Sequence, residues 1–207
     1  MRYGVWVVGL LAVFGWGQDA AAAFADGVYV PPAGAKALDA SLYPIAPETV
    51  ASYLEHVPVT HVFDEFAGRN DELAAGSSNT KPIEVGANFD IDMASSELLD
   101  APFTDGDWQV YLAGVTSIDA HAVRLRLDLS ELTSADEVWV IDPDGARAFG
   151  AFTQADAVDG GRWLPTIAGD TAVLMVRTTG AQMPQVRLLG LSHFYRPLEE
   201  VMEKAAL

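Results

Sequence analysis

Cysteine is absent from all 207 residues, which removes disulfides and thiolate metal sites and leaves the chain indifferent to an oxidising compartment. Basic residues are scarce: 12 Lys and Arg face 29 Asp and Glu, for a formal net charge of −17. A surface of that sign repels a phosphate backbone, so nucleic acid is excluded as a partner class. The same charge favours solubility, with a basic protein or a divalent cation as the minor alternatives. After the first 16 residues no apolar run is long enough to cross a bilayer as a helix. Strand patterns never alternate with long helical ones, which argues against a parallel α/β sheet, and no repeat period points to a solenoid. An HExxH pair, a G-x-S-x-G elbow and a phosphate loop are all missing as well.

The N-terminus reads as an address. Met1 and Arg2 form a short positive region, and residues 3–16 (YGVWVVGLLAVFGW) are apolar but short for a span. Small residues follow, with two A-x-A sites, one cutting before Phe24 and preferred, the other before Asp26. Residues 1–23 are therefore expected to be a signal peptide and the mature protein to be secreted or periplasmic, with no stable membrane span. No Cys follows the apolar run, which excludes a lipoprotein anchor. Half of the residues are hydrophobic, enough for one core in a domain of this length.

Residues 24–80 read as a lead with short helices. A Pro, Gly and Ala-rich stretch to about Leu42 is extended, and Ala46, Pro47 and Glu48 then open a helix with Val50, Tyr53 or Leu54, and Val57 at helical spacing. A second helical piece is predicted at residues 71–75. From Lys81 to Arg196 the pattern is that of strands. Ile83, Val85, Ala87, Phe89, Ile91 and Met93 alternate with polar residues; 108–117 (WQVYLAGVTS) is a strand; Val123, Leu125, Leu127 and Leu129 alternate with Arg124, Arg126 and Asp128, which places the latter three in water. Residues 137–141 (EVWVI) run into Asp142, Pro143, Asp144 and Gly145, a hairpin turn in which Gly supplies a positive φ. Residues 146–152 return, and 171–178 and 185–195 supply the last strands. Residues 95–107 (SSELLDAPFTDGD) are expected to be a loop with a brief apolar contact. About seven strands with turn signals between them predict a mostly β, antiparallel β-sandwich over residues 81–196, closed by an amphipathic helical tail, 197–207, with Leu198, Val201, Met202 and Ala205 on its apolar face.

No catalytic or cofactor-binding residue is assigned. Ser192 and His193 are adjacent on a strand and so point to opposite faces, unable to share a proton. His56 and His61 lie near Glu55, Asp64 and Glu65 without metal-site spacing and read as solvent-facing. Asp105 and Asp107, and Asp142 and Asp144, are candidate calcium ligands; neither pair has the spaced series of an EF-hand loop, and both read first as turns. Trp108, Trp139 and Trp163 can be read as a sugar platform or as core, and Trp139, inside an apolar run, favours core.

The succession KPIEVGANFDIDM, DGDWQVYLAGVTSIDAHAVRLRLDLSEL, EVWVIDPDGARAFGAF, RWLPTIAGDTAVLMV and VRLLGLSHFY resembles the N-terminal non-catalytic domain of bacterial secreted trypsin-like serine proteases, lysyl-endopeptidase-like ones included. The order of the pieces, the DPDG turn, the W-x-P-x-x-x-G-D spacing and the terminal SHFYR carry the likeness. It implies a jelly-roll-like sandwich, similar also to the accessory domains of proprotein convertases, which is attached to a protease without being one. The sequence stops soon after SHFYR with no G-D-S-G-G, so the family's catalytic residues have no positions here. The expectation is a non-enzymatic, protease-associated accessory or pro-domain module with an exported protein partner, a serine protease among the candidates; the alternative is an independent exported module that binds carbohydrate or protein.

Overall fold

The computed structural model describes residues 45–56, 60–76 and 85–197; residues 1–23, expected to be a signal peptide, the first part of the lead and residues 198–207, expected to be a helical tail, lie outside them. In chain order the elements are α1 (Pro47–Leu54), β1 (Thr60–Phe63), α2 (Asn70–Gly76), β2 (Gly86–Ala94), α3 (Ser95–Leu98), β3 (Phe103–Asp105), β4 (Trp108–Ser117), β5 (Ala122–Asp128), β6 (Asp136–Ile141), β7 (Ala148–Phe152), β8 (Arg162–Trp163), β9 (Ile167–Ala168), β10 (Thr171–Thr178) and β11 (Arg187–Phe194).

They form two sheets. Sheet I runs β1-β4-β10-β6-β7, with β3 sharing the edge of β4 that β1 occupies; sheet II runs β2-β11-β5-β8, with β9 beside β8 on β5. All pairings are antiparallel except β1 on β4. The chain is thus a mostly β, largely antiparallel β-sandwich.

Alternation explains why the sheets stack. Tyr111, Ala113 and Val115 of β4, Val138 and Val140 of β6, and Leu174 and Val176 of β10 point inward to meet Val123, Leu125 and Leu127 of β5 and Leu188 and Leu191 of β11. Phe89, Ile91 and Met93 of β2 join from the edge, as their period-2 spacing predicts. Sheet I also buries its other face. Val110, Leu112, Trp139, Ile141, Val173 and Met175 project there and are covered by Ile45 and by Val50 and Tyr53 of α1. That second layer is why β4, β6 and β10 read as near-continuous apolar runs rather than clean alternations. Helix α1 starts where Pro47 fits the first turn, with Glu48 beside it.

Three expectations need correction. Residues 95–107 are not simply a loop: Ser95, Ser96, Glu97 and Leu98 form α3, with Leu98 wholly buried, and Phe103, Thr104 and Asp105 pair with β4. The alternate face of β5 is not all in water, because Arg124 is only 3% exposed. His61 is half-buried, with Nε2 2.9 Å from the Leu98 carbonyl, rather than free in solvent.

The predicted turn is present. The Gly145 amide donates to the Asp142 carbonyl at 2.8 Å, and Gly145 has φ +74°. Arg147 and Asp142 close the loop twice, through the Asp142 amide on the Arg147 carbonyl at 2.9 Å and an ion pair at 2.7 Å.

Candidate functional site

Polar groups inside an apolar sandwich are the first place to look for chemistry, since each must be paired. His193 is the largest of them. It follows inward-facing Leu191 by two residues, so it too points between the sheets, and it is fully buried. Its Nδ1 lies 2.9 Å from Ser117 Oγ at the end of β4, and its Nε2 lies 2.8 Å from Asn70 Oδ1 at the start of α2. The Asn70 amide nitrogen donates to the Asp119 carbonyl at 2.7 Å, so the amide oxygen is the acceptor for His193. Nε2 therefore carries the proton and Nδ1 takes the hydroxyl proton of Ser117. Burial holds the His193 pKa below its ordinary value, against the opposing pull of the Asp119 carboxylate. Asp119 has φ +66° and accepts the Gly68 amide at 2.8 Å through its side chain. Phe66 packs at 5.2 Å from the His193 ring.

Ser117, His193 and Asn70 have the composition of an acyl-transfer relay. Their surroundings decide otherwise, because with Ser117 1% and His193 0% exposed a substrate carbon cannot reach the hydroxyl. What the arrangement does is tie β4, β11, α2 and the β4–β5 turn together at one end of the sandwich. Ser192 points the other way and donates to Asn88 on β2, so the two adjacent residues do face opposite sides of sheet II.

The acidic candidates are dispersed. Asp105 accepts a short hydrogen bond from the Tyr53 hydroxyl; burial first, then this bond and the carboxylate charge, push the Tyr53 pKa up to about 12. Asp107 is across the tight β3–β4 turn from it. Asp142 is held by Arg147, and Asp144 accepts the Ala146 amide at 2.9 Å within its own turn. Among the described residues no three His, Asp or Glu side chains are grouped to hold a metal.

The three tryptophans do not share a platform. Trp139 is fully buried on the α1 side of sheet I. Trp108 lies on that same side, under the Arg177 guanidinium at 4.3 Å, and Arg177 is paired to Glu137 at 2.7 Å. Trp163 sits on the outer face of sheet II, with Arg124 at 5.6 Å and Arg126 at 5.3 Å from its ring. Arg126 reaches Asp90 at 2.7 Å across Gly190, where a Cβ would come within 3.3 Å of its guanidinium. His56 stacks on Phe103 at 4.4 Å.

Among the described residues β2 bonds to β11 on one side only, and Asn88, Asp90 and Asp92 stand exposed along it. Asp90 and Asp92 are each ion-paired, to Arg126 at 2.7 Å and to Arg187 at 2.9 Å. No protein-family model matches this sequence, and no curated protein matches it.

Proposed function

We propose that this chain is an exported, non-catalytic β-sandwich module that acts by contact with another exported protein, as the accessory or pro-domain type module of a secreted serine protease. One observation carries the reading. The five segments that resemble the protease-associated domain fall, in order, on β2, on β4 and β5, on β6 and β7, on β8 to β10, and on β11, so the likeness follows one two-sheet unit rather than scattered strands. Ser117, Ser192 and His193, the residues nearest to acyl-transfer chemistry, are themselves buried and each hydrogen-bonded, Ser117 to His193, His193 also to Asn70, and Ser192 to Asn88. The net charge of −17 suits a basic partner, with a contact that weakens as salt rises.

The test pairs two assays on the purified mature chain. Casein and small-ester hydrolysis is expected to be absent, and a pull-down from the secreted fraction is expected to retain a serine protease, less of it as salt rises. Turnover that survives stringent repurification and disappears on changing Ser192 or His193 overturns the non-catalytic reading. Retention of a sugar polymer in place of a protease favours the alternative, an independent carbohydrate-binding module.

A further inference from the structure

One segment closes the end of the sandwich over His193. Residues 64–76, the turn after β1 together with α2, meet the imidazole through Asn70 Oδ1 at 2.8 Å and the Phe66 ring at 5.2 Å. Every residue from Asp64 to Ala75 is at least partly exposed, so little apolar burial holds the segment down. Polar bonds tie it instead: the Asn70 side chain to the Asp119 carbonyl, the Gly68 amide to the Asp119 carboxylate, and the Ala74 carbonyl to Arg196 at 2.8 Å. Phe66 adds an edge contact with Phe89 at 5.5 Å. The other walls of the ring are β4, β5 and β11, whose inward Val115, Val123 and Leu191 are all 0% exposed. Segments with few buried contacts open at a fraction of the cost of global unfolding, so water reaches His193 most cheaply from the α2 side.

The closed state disfavours a charge on that ring. Both of its nitrogens are held by neutral groups, Ser117 and Asn70, and an imidazolium shut away from water is costly. From the β4–β5 turn the Asp119 carboxylate favours the charged form and His121 opposes it, but burial is the largest effect. The charges on the segment itself, Asp64, Glu65, Arg69, Asp71 and Glu72, are exposed. Strand β4 carries no charged residue. Arg124, Arg126 and Asp128 of β5, Arg187 of β11, and Asp90 and Asp92 of β2 lie on the outer face of sheet II, away from the ring. On β1, His61 is turned to the Leu98 carbonyl.

We propose that residues 64–76 are an acid-released flap: when Nδ1 of His193 takes up a proton from solvent, the segment lifts off the end of the sandwich and the two sheets stay closed. Lifting hydrates the imidazolium, separates Asn70 from Nε2, and bares the side of Phe89 that Phe66 covers. At neutral pH the ring is uncharged and the flap is down.

Amide hydrogen exchange on the full chain reads the flap directly. Its reporters are Gly68, whose amide is on Asp119, and Leu73, whose amide donates to the Arg69 carbonyl at 2.9 Å; the amides of β10, inside sheet I, are the control. Because one proton is taken up, protection at Gly68 and Leu73, corrected for intrinsic exchange, is expected to fall about tenfold per pH unit from pH 6.5 down to the folded His193 value. Protection in β10 is expected to hold. His193→Gln keeps a donor for Asn70 and an acceptor for Ser117 without titrating, and is expected to remove the fall at both reporters; the same fall in that variant overturns the proposal. Where the variant does not fold, the NMR titration of the His193 ring in the wild-type chain decides: flap opening that follows ring protonation supports the flap, and opening with the ring still neutral overturns it. Unchanged protection at Gly68 and Leu73 overturns it too, as does a parallel fall in β10, which is a loosening of the whole sandwich.

Discussion

Deleting the Ser117 hydroxyl probes the buried relay most directly. Ser117→Ala removes one 2.9 Å hydrogen bond and leaves Nδ1 of a fully buried imidazole without a donor. An orphaned acceptor of this kind costs about 1–3 kcal/mol, more than the net worth of the bond itself. For a chain of this size that is roughly 2–4 °C of melting temperature per kcal/mol. His193→Leu alone strands the Ser117 hydroxyl, and the double variant removes both partners, so the pair should show a coupling energy of about 0.5–3 kcal/mol. The relay also has a pH signature. The folded His193 pKa lies below the ordinary 6.5, so between the two values the unfolded chain binds more protons than the folded one. The His193 contribution is therefore fully present above pH 6.5 and is lost as pH falls from there through the folded value. Chemical denaturation of wild type and variants, followed from pH 7.5 downward, checks both parts, and the His193→Leu protein should lack this component of the acid slope. A Ser117→Ala effect inside about 0.5 kcal/mol, the range of ordinary surface changes, refutes the relay.

Gly145→Val should destabilise by about 1–3 kcal/mol, because a β-branched residue is strained at φ +74° and its Cβ would lie 3.1 Å from Leu54 Cδ1; an unchanged melting curve would show that the turn is drawn wrongly. Mass spectrometry of the exported protein should find Phe24 or Asp26 as the first residue, and an intact Met1 in the soluble exported form would defeat the signal-peptide reading.

The period-2 grammar of the chain determined its class. Residues 108–117 and 171–178 are strands with the bounds expected of them, because a short apolar run and the turn residues that bound it are local properties. Parity also held a clue to the relay. Ser117 lies two residues beyond inward Val115, and His193 two beyond inward Leu191, so polar side chains at core positions were legible on both strands. That they meet, with Asn70 as third member, was not, since 76 residues separate the first pair and 123 the second. Only the stacking of two sheets brings such positions together. Burial of an alternate face is likewise a tertiary matter. The pattern gave Arg124 and Trp139 equally clear directions, but the second layer over each face decides whether a side chain meets water, and α1 over sheet I is the layer that encloses Trp139. The short pieces α3 and β3 escaped for the opposite reason: four and three residues carry too little periodicity to be seen, and pairing with β4 and packing of Leu98 in the core are what give them their structure.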